Sequence, residues 1–326
     1  MDLLVLGGTA FAGRAVVDEA RTRGHRITVL NRGTTPPPAG VTALTGDRTR
    51  PDGLAALQHG TWDLVVDTWS GAPTAVRDTA KALSGRAGHY TYVSSRSVYA
   101  DDPVPADENS PTVDASPDTD TYAAAKRGAE LAADHHFNGP VLHARAGLIL
   151  GPHENIGRLP WWLNRIARGG PTLAPGPRDL KLQYIDARDL ATWILDAATA
   201  GRTGPYDLVS PPGHTTMGEL LDTINTVTGG HADLHWTDPQ TILDAGIEPW
   251  TDLPIWLTGH DYAVLHGGNV TKALSAGLKV RPVTETVADT WIWLRALGGT
   301  APQRPDRPAP GLDPTREAAF LATLQP

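Results

Sequence analysis

The sequence predicts an α/β fold, a doubly wound parallel sheet followed by a smaller C-terminal lobe, on three observations. Short apolar runs alternate with stretches of helical periodicity over the first 150 residues, a glycine cluster follows the first run at once, and beyond Gly151 the chain turns rich in Pro, Gly and Trp. Such alternation feeds parallel strands through crossover helices, which then cover both faces of the sheet.

The run DLLVL at 2–6 ends in glycines, as a buried parallel strand entering a tight turn should. Ala12, Val16, Val17 and Ala20 recur at helical spacing, and Gly24 lies where a C-terminal cap belongs. ITVL at 27–30 is the next strand. The rhythm repeats in DLVVDTW from Asp63, a helix over 72–83, HYTYVSS from His89, a helix over 121–134 and PVLHARAGLIL from Pro140. After Gly151, the segments PHENIGRLPWWL, PTLAPGPRD and EPWTDLPIWL are interrupted by the periodic stretches ARDLATWILDAA and MGELLDTINTV. The expected division is a dinucleotide-binding domain over 1–155 and a smaller, substrate-binding lobe over 156–326. Residues 181–200 are expected to return to the first domain as a further strand and helix. The Pro-rich stretch 300–310 should be extended, with Asp313 capping and Pro314 opening a last helix.

Composition narrows the class. The 326 residues can bury a sizeable core. The 28 Lys plus Arg against 36 Asp plus Glu give a net charge of −8, which offers no footprint for nucleic acid. Without cysteine there is no disulfide, thiolate metal site or cysteine nucleophile. His153, His214, His260 and His266 show no metal-ligand spacing, so no metal is expected. The start MDLLVLGGTA has no basic leader and no apolar run reaches the ~18 residues of a membrane span, so a cytoplasmic chain without a membrane partner is expected. Trp161, Trp162, Trp250 and Trp256 fall in the smaller lobe, where they either pack its core or stack on a substrate ring.

Two constellations carry chemistry. Gly7, Gly8 and Gly13, in GGTAFAG between a strand and a helix, would let the backbone approach a pyrophosphate at a helix N-terminus, whose N–H groups and partial charge favour anions. The second strand ends in Asn31 and Arg32, where an acidic residue would have served a ribose 2′-hydroxyl. A guanidinium suits a 2′-phosphate instead, so NADP is favoured over NAD. Further on, Tyr122 and Lys126 stand four apart in TYAAAK and share a helix face. A tyrosine that titrates near ~10 needs a nearby cation to exchange protons at neutral pH, and Lys126 carries one. Ser95, at the end of a strand expected to be buried, lies where open α/β sheets bind ligands. A mere tight turn and a solvated surface pair are the plainer readings of these two motifs.

With GGTAFAG, YVSSRSVYA, YAAAKRGAE, ARAGLILGP at 144–152 and YIDARDLA at 184–191 in that order, the chain resembles the extended short-chain dehydrogenase/reductases, also called the NAD-dependent epimerase/dehydratase family. LSAGLKVRPVTETVADTWIWL is similar to that family's C-terminal helix region. The resemblance implies a Rossmann-type sheet, Tyr122 as acid/base, Lys126 as the group that lowers its pKa and binds the nicotinamide ribose, and Ser95 as the group that orients the reacting oxygen. It implies cofactor contacts from Gly7, Thr9, Ala10, Phe11, Ala12 and Gly13 at the pyrophosphate, and from Asn31 and Arg32 at the adenine ribose. Asp47 and Arg48 would lie near the adenine, Asp67, Thr68, Trp69 and Ser70 would flank the adenosine, and Ala146 would also touch the cofactor. A homodimer through the helix bearing Tyr122 is implied in the same way. Ala10 replaces the family's middle glycine and Ala146 its usual proline.

Residues beside the serine bear on the reaction. Dehydrating and decarboxylating members carry carboxylates there, whereas this chain has Arg96 and Ser97. Hydride transfer to or from a secondary alcohol or ketone of a small molecule, such as a sugar nucleotide or secondary metabolite, is the first expectation. An epimerisation through a transient ketone is the second. A non-catalytic dinucleotide sensor would typically have lost the tyrosine and lysine. An RNA-associated relative is suggested by GGTAFAGR and LNRG and opposed by the net charge.

Overall fold

The computed structural model describes residues 1–100, 104–116 and 121–324. Seven strands form its main sheet: β1 (Asp2–Leu6), β2 (Arg26–Asn31), β3 (Thr42–Thr45), β4 (Trp62–Asp67), β5 (Ala87–Ser95), β6 (Val141–Ala146) and β7 (Gly204–Leu208). They lie in the order β7-β6-β5-β4-β1-β2-β3, every pair parallel. The order reverses between β1 and β4, which makes the carboxyl ends of these two strands the topological switch point.

Side-chain alternation explains why both faces of the sheet are covered. Leu4, Leu6, Val65, Tyr90 and Tyr92 form one buried cluster with Val76, Ala80 and Leu83 of helix α2 (Pro73–Leu83) and Ala129 and Ala133 of helix α3 (Tyr122–His136). Leu3 and Val5 point the other way and are equally buried. Helix α1 (Phe11–Thr22) packs with helix α4 (Ala187–Thr199), and α2 packs with α3. Each fully buried Leu or Val side chain contributes about 1.5–3 kcal/mol.

The chain forms two compact units. The first comprises Met1–Ile149, Ala187–Val209 and Asn269–Lys279; the second comprises Leu150–Asp186, Ser210–Gly268 and Val280–Pro326. Where the sequence suggested a division near 155 with 181–200 returning, the returning piece is α4 followed by β7, and 269–279 joins them. α4 returns because its apolar face packs on α1, and β7 because it pairs with β6 at the sheet edge, where Pro205 is tolerated.

The second unit is built around strand Gly170–Pro175, paired in parallel with Ala232–Thr237. The helix Met217–Thr228 starts at a capping box in which Thr216 Oγ1 accepts from Glu219 N–H and Glu219 Oε2 accepts from Thr216 N–H. Trp162 and Trp256 are fully buried, and their indoles donate to the carbonyls of Pro254 and Gly176. These two pack the core. The last helix, Pro314–Thr323, is capped by Asp313, whose carboxylate accepts from the N–H groups of Thr315 and Arg316.

Candidate active site

The loop after β1 is shaped by close backbone approach. Gly7 has φ +97° and a side chain there would meet Thr68 Oγ1 at 2.5 Å, while a side chain on Gly13 would meet the Gly7 carbonyl oxygen at 2.4 Å. Glycine is required at both positions, one for its left-handed backbone and one for the contact of α1 with the loop. Ala10 is the N-cap of α1 at φ −140°, ψ 150°, extended backbone that any residue adopts, so the missing glycine costs nothing in conformation. Among the described residues no side chain caps this helix and its first turn holds no acidic residue. Its orphan N–H groups thus remain available to an anion. Thr9 N–H donates to the Gly7 carbonyl, Ala12 is half-buried, and the buried Phe11 opens the helix at φ +40°, rare for an aromatic residue.

Beside this loop, Asn31 Oδ1 accepts from Gly33 N–H and turns the chain out of β2, leaving Arg32 exposed. Asp47 accepts from both the N–H and the hydroxyl of Thr49, which hold its carboxyl below the usual range, with Arg32 adding to the effect. Arg48 and Asp67 form a two-pronged pair at 2.7 Å in each arm. Asp67 is completely buried and also accepts from Tyr90 Oη at 2.5 Å and from Trp69 N–H at 2.9 Å. Burial is the largest influence and opposes its ionisation, and the Arg48 charge together with the hydrogen bonds from Arg48, Tyr90 and Trp69 holds the carboxyl below its ordinary value all the same. With these partners, the Asp67 side chain ties β4 to its neighbours. Thr68 Oγ1 donates to the Leu6 carbonyl, and the Trp69 ring lies against the Arg48 guanidinium, 5.2 Å from its centroid; Ser70 follows, half-buried.

β5 delivers Ser95 and α3 delivers Tyr122 and Lys126. Ser95 caps the 3-10 turn Arg96–Val98: its Oγ accepts from Ser97 N–H at 3.1 Å and donates to Ser97 Oγ at 3.0 Å. Ala146, at the end of β6, is in register with Ser95 and buried. Tyr122 is the first residue of α3 and is 42% exposed, whereas Lys126 one turn later is 4% exposed. The Lys126 ammonium donates to the carbonyls of Trp69 at 2.7 Å and Val93 at 2.8 Å and stands over the Tyr92 ring. α3 packs against the turn that Ser95 caps.

Sequence reasoning missed the charged network behind this turn. Arg145 of β6 makes two hydrogen bonds to Glu130 of α3 and lies over the Tyr99 ring, and Arg96 and Tyr99 both bind Asp207 of β7. Burial works against ionising Glu130, but Arg145 holds it at about 2; burial pushes Asp207 up to about 6 against the pull of Arg96. No local pattern marks partners that lie 15 to 111 residues apart.

A profile of the NAD dependent epimerase/dehydratase family matches residues 3–209. The chain belongs to this family. It is accordingly an NAD(P)-dependent enzyme of the extended short-chain dehydrogenase/reductase type. Among curated proteins none matches the sequence. Similar solved structures include UDP-N-acetylglucosamine 4-epimerase from Bacillus cereus, 18% identical with TM-score 0.67 over 90% of this chain and 99% of that one. WbmG of Bordetella bronchiseptica, in complex with NAD and UDP, is 19% identical with TM-score 0.68 over 92% and 95%. UDP-glucose 4-epimerase of Thermus thermophilus, in complex with NAD, is 20% identical with TM-score 0.64 over 90% and 99%. These likenesses establish the shared fold. Among the described residues of this family member, no helix is long and apolar enough to cross a membrane and no cluster of side chains has the makings of a metal site.

Proposed function

We propose that this enzyme oxidises or reduces a secondary alcohol or ketone of a small molecule, with Tyr122 as the acid/base. The observation that carries the reading is the buried Lys126 ammonium, held between the carbonyls of Trp69 and Val93 one helical turn beyond the exposed Tyr122. Bound NAD(P) would supply or take the hydride. Gly7, Thr9, Ala10, Phe11, Ala12 and Gly13 would hold its pyrophosphate at the uncapped start of α1, and Lys126 its nicotinamide ribose. Asp47, Arg48, Ala146 and the 67–70 segment would line the remaining contacts. In the direction of reduction the Tyr122 hydroxyl gives its proton to the carbonyl oxygen, which Ser95 Oγ orients. Lowering a phenol by ~3 pK units corresponds to about 4 kcal/mol, which the Lys126 charge would supply once bound cofactor and substrate exclude water from Tyr122. The second unit would provide the substrate contacts.

Arg32 favours NADP(H), since its charge is exposed directly after β2 and Asn31 is no competing carboxylate. NADPH should bind wild type more tightly than NADH, and Arg32→Ala should erase the preference; tighter NADH binding by wild type would reverse the assignment. A panel of carbonyl compounds, alcohols and sugar nucleotides tests the reaction, with products weighed by mass spectrometry. Net change in nicotinamide absorbance marks a dehydrogenase, whereas product of unchanged mass and no net cofactor turnover marks an epimerase. Loss of water or carbon dioxide is not expected, because neither Arg96 nor Ser97 is a carboxylate. Tyr122→Phe should keep cofactor affinity and cut turnover by ~10² or more, and retention of most activity would remove Tyr122 from the mechanism.

A further inference from the structure

Arg96 follows Ser95 directly, yet its side chain is buried and turned into the protein. Its Nε donates to Asp207 Oδ2 at 3.1 Å. The other oxygen of the same carboxylate, Oδ1, accepts from Tyr99 Oη at 2.6 Å. Arg96 opens the 3-10 turn and Tyr99 closes it, so one fully buried carboxylate grips both ends of the turn that Ser95 caps. Asp207 is fixed in turn, because its own N–H donates to Glu108 Oε1 at 2.9 Å and β7 is paired with β6 through Asp207 and Arg145. Arg145 lies over the Tyr99 ring and binds Glu130 one helical turn beyond Lys126. The chain of contacts therefore runs from the serine turn to the helix that bears Tyr122 and Lys126.

A 3-10 turn capped by serine does not need a buried guanidinium, and taking one out of water is expensive unless it is paired in good geometry. What the pair adds is a fixed position, since buried ionic contacts can hold one arrangement against near alternatives. We propose that Arg96 is a positioning residue, which locks the Ser95 turn through its buried ion pair with Asp207. The proposal rests on the reading of Ser95 as the group that orients the reacting oxygen. The groups facing Asp207 are Arg96, Tyr99 and Glu108; burial with the Glu108 charge brings its carboxyl up to about 6 against the pull of Arg96, so at pH 7.5 the carboxylate is ionised and the pair is formed.

Hydrogen exchange of the full-length protein, read by mass spectrometry on peptides covering 94–100, tests the lock without any substrate. At pH 7.5, exchange of this segment should be at least fivefold faster in Arg96→Met and in Asp207→Asn than in wild type, with β1 and β4 peptides unchanged. Arg96→Lys should restore part of the protection that Arg96→Met loses. Unchanged exchange at 94–100, or an equal rise throughout the first unit, would overturn the proposal. With a substrate from the panel above, Arg96→Met should leave cofactor affinity within twofold and lower kcat at least tenfold, Asp207→Asn should match it, and the double variant should be no worse than either. If wild type turns over nothing in the panel, the functional reading fails while the exchange data still decide the lock.

Discussion

Gly13, in the first turn of α1, and Ala10, the N-cap of that helix, sit three residues apart and answer opposite questions. At Gly13 a methyl group would lie 2.4 Å from the Gly7 carbonyl, and neither backbone can yield without moving α1 off the loop. Gly13→Ala should lower stability by about 1–3 kcal/mol and abolish dinucleotide binding, read by thermal melts with and without NADPH. Ala10 already has a backbone that any residue adopts, so Ala10→Gly should change NADPH affinity by less than twofold. A large gain in affinity would mean that the Ala10 methyl holds the pyrophosphate away. The glycine spacing was legible in the sequence; which glycines act through contact and which through φ was not, because that depends on Thr68 and on the return of α1 against the loop.

At the scale of elements, two buried glutamates respond to pH with opposite sign. Glu130 ties α3 to β6, and its folded pKa of about 2 lies below the unfolded value, so its contribution is present above ~4.5 and is lost as pH falls toward 2. The full effect is about 3 kcal/mol, and Glu130→Gln should show a stability deficit in urea titrations that holds from pH 7 to ~4.5 and shrinks below that as pH falls toward 2. Glu154 accepts from the N–H groups of Arg158 and Leu159 at the start of the helix Arg158–Ala167. Complete burial raises it to about 7 against the Arg158 charge and these N–H bonds, so its contribution is present below ~4.5 and is lost as pH rises through 7. Glu154→Gln should therefore compare worst with wild type in acid and best above pH 7. The strands and helices of the first 150 residues were readable because each carries its own period. β3 was not, since three of its four residues are exposed, and neither was β7, a five-residue edge strand that opens with Gly and Pro. The ion pairs behind Ser95 escaped because residues far apart in sequence leave no joint signature in it.

For the molecule as a whole, the decisive arrangement is that neither unit is one continuous stretch of chain. The first 149 residues hold six of the seven strands and all of Gly7, Ser95, Tyr122 and Lys126, which is why the site motifs could be found without knowing the second unit. The seventh strand and α4 come only after the chain has entered the second unit and left it again.

That order has a consequence during synthesis. Arg96 leaves the ribosome 111 residues ahead of Asp207, and the guanidinium that ends up enclosed has no carboxylate from β7 to meet for that interval. The nascent sheet must keep its β6 edge open and Arg96 hydrated until β7 arrives, or it would trap a charge at a cost of several kcal/mol. Ribosome-bound chains arrested at increasing lengths should consequently remain sensitive to protease at 94–100 until residue 208 has cleared the exit tunnel, and become resistant together with α4. Resistance of this segment in chains that stop at residue 150 would mean that the first six strands close around Arg96 by themselves.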